Sequence, residues 1–116
     1  MTVLSSHVLD SISGKSAVGF RVQLFRLAVD EQKELIFDVI SDSEGRIAEE
    51  LNLENNEQQF ELVFYTRDYI QRIHGKQSAS QPVSTAVIHL SLINREQRYH
   101  IPLVLSPHCY TVWWSE

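Results

Sequence analysis

The sequence predicts a mainly-β domain, a sandwich of two sheets with one short helix. Seven segments show the period-2 alternation and the enrichment in β-branched and aromatic residues that are typical of strands. Turn residues separate several of these segments, and only one stretch of the chain carries a helical pattern. Short strands with turns between them favour a β-sandwich.

The predicted strands follow one another along the whole chain. They cover residues 3–10, 18–27, 35–41, 60–65, 84–93, 99–106 and 109–115. In the segment 84–93 the apolar residues at even positions from 86 to 92 fall on one face, and His89 falls on the other. We therefore expect one face of this strand in the core and His89 on an outer or inter-subunit surface.

Turn residues and one capping pattern complete the predicted elements. Turns at 13–15 (SGK), 42–45 (DSEG) and 94–97 (NREQ) each lie between two strand-like runs, so the sequence predicts hairpin connections there. Between residues 65 and 82, Thr66 can cap a helix, Asp68 suits its first turn, and Gly75 ends it. The apolar face of this predicted helix consists of Tyr69, Ile70 and Ile73.

Composition and charge limit the classes of partner. The chain has 116 residues, ten Lys and Arg against fifteen Asp and Glu, and a net charge of −5. Its basic residues are scattered, so the attraction that drives binding to nucleic acids or anionic membranes is missing. No leader follows Met1, and no apolar run approaches the length of about 20 residues that a membrane span needs. We therefore expect a single cytoplasmic domain, residues 1–116, whose partner is a small molecule.

Three polar residues interrupt or terminate apolar strands and are candidates for chemistry: His7, Arg46 and His100. Hydrolysis of a small polar ring needs a proton acceptor that titrates near pH 7, a proton donor for the leaving nitrogen and a cation for the oxyanion. Two histidines and an arginine cover these roles without a metal or another cofactor. Each residue also has an ordinary interpretation, namely a hydrogen-bonded strand histidine, a surface ion pair and an interface histidine.

Other constellations in the sequence are weaker. The single cysteine, Cys109, excludes a disulfide framework within one chain. A zinc site from His89, His100, His108 and Cys109 lacks compact ligand spacing. We expect Cys109 to pack rather than to act as a nucleophile, because its neighbour His108 points to the opposite face of a strand. The four glycines form no phosphate-binding loop.

Three motifs in the chain occur in the order of a known family. Residues 4–10 (LSSHVLD) precede Gly14, Ala17 and Gly19, residues 42–47 (DSEGRI) match a D-x-x-G-R pattern, and residues 99–107 (YHIPLVLSP) match Y-H-[IV]-P-L-L-L-S-P. The predicted helix and the proline before a long strand fall in the same order. Over nearly its whole length the chain resembles the 5-hydroxyisourate hydrolases, the enzymatic relatives of transthyretin.

This resemblance implies a transthyretin-like β-sandwich of two four-stranded sheets with one short helix, assembled as a homotetramer, a dimer of dimers around a channel. Active sites in the family lie at the dimer–dimer interface, and the motif residues correspond to His7, Arg46 and His100. The implied reaction is hydrolysis of the cyclic amide C–N bond of 5-hydroxyisourate, the step after urate oxidation in purine degradation. The histidines would position and deprotonate water, and Arg46 would hold the substrate.

The C-terminal segment departs from the family's pattern. Members typically end with Y-[ST]-T-Y-R-G-S, whereas residues 110–116 are YTVWWSE, with Trp114 in place of the arginine and Glu116 in place of the last serine. Because this segment lines the active site in the family, the candidates for substrate binding are Arg46, Tyr110, Trp113, Trp114 and Ser115. Loss of the guanidinium removes a fixed charge, and a carboxylate at Glu116 repels an anion.

The altered tail leaves alternatives to 5-hydroxyisourate hydrolysis. One is a non-catalytic or altered-specificity transthyretin-like protein, in which the tryptophans stack on a small flat ligand. Another is a hydrolase for a related cyclic amide or ureide. Trp113 and Trp114 also suit the core or a subunit contact.

Overall fold

The computed structural model of the chain describes residues 1–30, 32–75 and 82–115. Within these ranges the chain forms one helix, α1 (Thr66–His74), and ten strand segments. The strand segments are β1 (Thr2–Asp10), β2 (Lys15–Ser16), β3 (Arg21–Leu27), β4 (Lys33–Ile40), β5 (Arg46–Leu51), β6 (Gln58–Phe64), β7 (Ala86–Leu92), β8 (Arg98–His100), β9 (Leu103–Leu105) and β10 (Tyr110–Val112). The predicted mainly-β fold with one short helix is confirmed.

The first sheet is built around β1. On one edge of β1, β5 pairs antiparallel with residues 2–7 and β2 pairs with residues 9–10. On the other edge, β8 and β9 both run parallel to β1 and are separated only by Ile101 and Pro102. β10 pairs antiparallel with the outer side of β9. The six segments of this sheet therefore occupy four strand positions.

The second sheet is antiparallel, with the strand order β4-β3-β6-β7. One register irregularity lies between Leu24 and Phe25 where β3 pairs with β4. The predicted sandwich of two four-stranded sheets is thus confirmed, with strands of the first sheet divided into shorter segments. β7 of this sheet and β10 of the first sheet end their sheets as edge strands.

The core lies between the two sheets and continues under α1. Its largest fully buried side chains include Phe20, Phe60 and Phe64. From α1, the ring of Tyr69 packs 5.2 Å from that of Phe20, between ring centroids. Burial of these apolar side chains is the main contribution that holds the sheets together.

Some local predictions are wrong. The turn at 13–15 forms a hairpin, but its second strand is β2 and not the predicted strand 18–27, which contains β3 of the second sheet. The turns at 42–45 and 94–97 also connect strands of different sheets. The helix has Tyr65 at its N-cap position without a side-chain capping bond. Thr66, the predicted cap, is instead the first helical residue, and its hydroxyl donates to the carbonyl of Ser84 at 3.3 Å. The docking of the helix against the chain before β7 therefore replaces the expected cap.

Candidate active site

The outer face of the first sheet, the side away from the core, brings His7, Arg46 and His100 together. His7 pairs directly with Arg46 across β1 and β5, and Ser5 pairs with His100 across β1 and β8. Directly paired residues share a face of a sheet, and so do residues two apart on one strand. The alternate residues of β1, such as Leu4 and Val8, are buried in the core. His7, Arg46 and His100, called the trio below, therefore lie on one surface.

The turn before β5 fixes the start of the strand that carries Arg46. The carboxylate of Asp42 accepts hydrogen bonds from the backbone N–H groups of Arg46 at 3.0 Å and Glu44 at 2.9 Å, and these bonds lower its pKa. Gly45 closes the turn with φ of 75°. No ion pair within residues 1–30, 32–75 and 82–115 involves Arg46, whose side chain is exposed. The guanidinium is thus available to a ligand.

Replacement of Gly45 by alanine is expected to lower the free energy of unfolding by about 2–4 kcal/mol, because a positive φ is strained and the site is crowded. An added Cβ would lie 2.8 Å from the carbonyl oxygen of Val8 and 2.9 Å from the Cβ of Ser16. Gly14 is the matched control, since its φ is 74° but no atom lies within 4 Å of an added Cβ. Urea unfolding of both alanine variants isolates the crowding, and equal losses would contradict it.

The imidazole of His7 is held at its Nε2 atom. This nitrogen lies 2.9 Å from the backbone carbonyl oxygen of Glu44 and 3.2 Å from Oγ of Ser16. A carbonyl oxygen only accepts, so Nε2 carries a proton and donates it. In the neutral ring Nδ1 is then the atom with a free lone pair. His7 is therefore a hydrogen-bonded strand histidine at Nε2, and its Nδ1 atom is left for another partner.

His100 is held from both sides of its strand. Its Nδ1 atom lies 2.8 Å from Oγ of Ser5, and its backbone exchanges hydrogen bonds of 3.0 and 3.3 Å with Ser115. Burial lowers the pKa of His100, and the positive charges of Arg46 and Arg98 lower it further. The ring is therefore neutral at neutral pH, which is the form that accepts a proton.

Removal of the Arg46 charge is expected to raise the pKa of His100, because a nearby cation disfavours the imidazolium. NMR titration of the His100 ring in an Arg46→Ala variant measures this shift without any substrate. The matched control is Arg67→Ala, which removes an exposed arginine from the first turn of α1. A pKa of His100 that stays unchanged in Arg46→Ala, or that rises equally in Arg67→Ala, would contradict the assignment.

The sheet divides the tail residues between its two faces. Ser115 pairs with His100 and so shares its face. Trp113 alternates with Val112, which packs against the core, and so lies on the outer face, 41% exposed. Trp114 instead lines an apolar groove of about 540 Å³ between β7, β8 and the C-terminal segment, and Tyr110 lines a small cleft against α1. Trp113 and Ser115 therefore accompany the trio, and Tyr110 and Trp114 do not. Glu116 lies outside the described residues.

Two further expectations concern metal ligands and Cys109. Among the residues that the structure describes, no group of three or more His, Cys, Asp or Glu side chains could hold a metal ion. Cys109 is exposed, so the prediction that its side chain packs is wrong. It lies in the turn between β9 and β10 rather than within a strand.

No helix in the described ranges is long and apolar enough to span a membrane.

Comparison with known proteins identifies the family of this chain. A 5-hydroxyisourate hydrolase of Deinococcus radiodurans is 31% identical over 114 residues, which cover 95% of this chain and 92% of that protein. The solved structure of an (S)-allantoin synthase matches with a TM-score of 0.80 and 27% identity, over 99% of this chain and 44% of that one. The Klebsiella pneumoniae 5-hydroxyisourate hydrolase shares the fold, with a TM-score of 0.79, 22% identity and 100% coverage of both chains. The model of the HIUase/Transthyretin family matches residues 4–114, and the chain therefore belongs to the HIUase/Transthyretin family.

Proposed function

We propose that the chain hydrolyses 5-hydroxyisourate at its cyclic amide C–N bond. The observation that carries this proposal is the placement of the trio on one exposed sheet face, through the direct pairing of His7 with Arg46 and of Ser5 with His100. Membership of the family and the similarity to a 5-hydroxyisourate hydrolase support the choice of substrate. The reaction needs a base, a group that orients the attacking water and a cation, and the trio contains a side chain for each role.

In the proposed reaction, neutral His100 takes a proton from water as the water oxygen attacks the amide carbon. The guanidinium of Arg46 stabilises the negative charge that develops on the carbonyl oxygen. The C–N bond then breaks, and protonated His100 returns the proton to the leaving nitrogen, so that the products are a carboxylic acid and an N–H group. His7 orients the water through Nδ1, because its Nε2–H is engaged with the carbonyl of Glu44. These steps need no metal or other cofactor.

We propose that the substrate contacts Arg46, Trp113 and Ser115. The indole of Trp113 offers a flat surface on which a planar ring stacks, and the hydroxyl of Ser115 is a neutral hydrogen-bonding group beside His100. In this proposal Tyr110 and Trp114 lie on the other side of the sheet and do not contact the substrate. The proposal thus assigns the two neighbouring tryptophans different roles.

The proposed assembly is a homotetramer, a dimer of dimers. Both β7 and β10 end a sheet in the isolated chain, and an exposed edge strand is a template for pairing with a second copy. Trp114 beside these edges is 79% exposed, which favours burial in a subunit contact. Sedimentation velocity measures the mass of the assembly. The cytoplasmic location stays a prediction.

The deciding experiment follows freshly generated 5-hydroxyisourate. Urate oxidase produces the compound from urate, and its ultraviolet absorbance then decays with and without this protein. Faster decay in its presence supports the proposal. Decay at the spontaneous rate with folded protein contradicts it and favours a ligand-binding protein, for which the apolar groove lined by Trp114 is the specific observation. In that case, quenching of tryptophan fluorescence by a planar purine analogue identifies binding.

A further inference from the structure

We propose that Ser5 is a positioning residue that keeps the proton of neutral His100 on Nδ1 and so presents Nε2 as the proton acceptor. The use of Nε2 as a base rests on the proposed function. The position of the proton is a property of the free protein and is measurable without substrate.

The contact between Ser5 and His100 joins a buried serine to a half-buried histidine. Ser5 is 3% exposed, and its Oγ lies 2.8 Å from Nδ1 of His100. Within the described part of the chain, this is the only hydrogen bond of that hydroxyl, and Nε2 of His100 has none. The ring thus has one nitrogen fixed by the protein and one left for water or substrate.

The hydrogen bond at one imidazole nitrogen decides the protonation of the other. A serine hydroxyl can accept from Nδ1–H or donate to an unprotonated Nδ1. Only the first arrangement leaves a lone pair on Nε2, which a base that deprotonates water needs. The hydroxyl of Ser5 has no other hydrogen-bond partner in the described ranges, so its orientation follows the tautomer of His100, and the proposed reaction requires the first arrangement. Alanine at this position would leave Nδ1–H without a partner and release both the tautomer and the ring orientation.

The neighbouring residue provides a matched control. Ser6 lies on the same strand, is 4% exposed, and donates its hydroxyl to the carbonyl of Ile101 at 2.7 Å. It faces the core and not the outer face of the sheet. Ser6→Ala therefore removes a buried serine hydrogen bond without touching the imidazole of His100.

The test compares Ser5→Ala, Ser5→Thr and Ser6→Ala by kcat, KM and the ¹⁵N NMR signals of the His100 ring. We expect Ser5→Ala to lower kcat about 10- to 100-fold, the range found for partners that orient metal-binding histidines, with little change in KM. The NMR signals should place the proton on Nδ1 in the unaltered protein and on Nε2 in Ser5→Ala. Ser5→Thr keeps the hydroxyl and should restore the Nδ1 proton, and Ser6→Ala should leave the signals and kcat unchanged.

Two results would overturn the proposal. One is a neutral His100 that carries its proton on Nε2 in the unaltered protein, or that keeps it on Nδ1 in Ser5→Ala. The other is an equal loss of kcat in Ser5→Ala and Ser6→Ala, which would make the effect one of strand stability. An unaltered protein without activity on 5-hydroxyisourate would refute the proposed function, and the NMR signals would still decide the role of Ser5.

Discussion

Replacement of His100 by alanine is expected to lower kcat for 5-hydroxyisourate by about 10²- to 10⁴-fold, the range that a general acid–base group contributes. The ring is anchored through Nδ1, and its pKa is lowered by burial and by the charges around it. Alanine removes the proposed proton acceptor, whose Nε2 atom has no hydrogen bond in the described part of the chain. The absorbance decay of 5-hydroxyisourate under saturating substrate measures the loss.

The matched control for this prediction is His89→Ala. His89 is an exposed strand histidine on β7, in the second sheet, away from the trio. Its replacement should leave kcat unchanged. A His100→Ala variant as fast as the unaltered protein would refute the role of His100 as the base. Similar losses in both variants would mean that histidine replacement acts on folding or assembly instead.

The sequence predicts those strands in which alternation is clean, and it misses β5. In β5 the inward residues Ile47 and Leu51 are buried, but the inward position between them is the half-buried Glu49. With charges also at positions 46 and 50, the segment carries too weak an apolar pattern for a strand prediction. Its pairing with β1 is a tertiary interaction that overrides this local signal. The predicted strand over 99–106 is likewise divided at Pro102, which lacks the N–H that a continuous ladder needs.

The candidate site is predictable in its residue types but not in its geometry. Motifs point to His7, Arg46 and His100, yet their proximity depends on the partners of β1 at its two edges. Sequence periodicity gives the face of a residue and not the neighbour of a strand. For this reason the sequence patterns do not identify Ser5. The available signal is its position two residues before His7, on the same strand face.

The C-terminal tail, residues 110–116, also shows that sequence periodicity does not give the neighbours of a strand. Alternation requires that Trp113 and Trp114 point to opposite faces, and this could be derived from the sequence. Which of the two faces the core depends on Val112, which packs between the sheets beside Trp114. Trp113 and Ser115 therefore share the sheet face of His100, and Trp114 lies on the opposite face.

Replacement of Asp10 by alanine is expected to lower the free energy of unfolding by about 3–5 kcal/mol, the loss typical of a broken buried charged network. Asp10 is 1% exposed at the end of β1. Its carboxylate accepts hydrogen bonds from the N–H groups of Ile12 and Ser13, the hydroxyl of Tyr69 and Nε2 of His74. These bonds tie helix α1 to the sheet that carries the trio. Alanine leaves the donors without their common acceptor in a buried site.

The pH dependence gives this prediction its sharpest test. Burial raises the pKa of Asp10, but the hydrogen bonds from His74, Tyr69 and the backbone outweigh burial and lower it below the ordinary value of 3.8. A lowered pKa in the folded state means that the stabilisation is complete above the ordinary pKa of 3.8, which applies to the unfolded chain, and is lost as the pH falls through the folded pKa. The stability difference between the unaltered protein and Asp10→Ala should therefore be constant near neutral pH and shrink below about pH 4.

Urea unfolding at several pH values measures this difference, with Asp38→Ala as the matched control. Asp38 also forms an ion pair, with Arg21 at 2.7 Å, but its side chain is 34% exposed on the outer side of the second sheet. A surface pair of this kind contributes about 1 kcal/mol or less. If Asp10→Ala costs no more than Asp38→Ala, the carboxylate does not hold the helix to the sheet. If its cost is the same at every pH, the hydrogen bonds do not depend on its charge, and burial of the side chain alone stabilises this end of the sandwich.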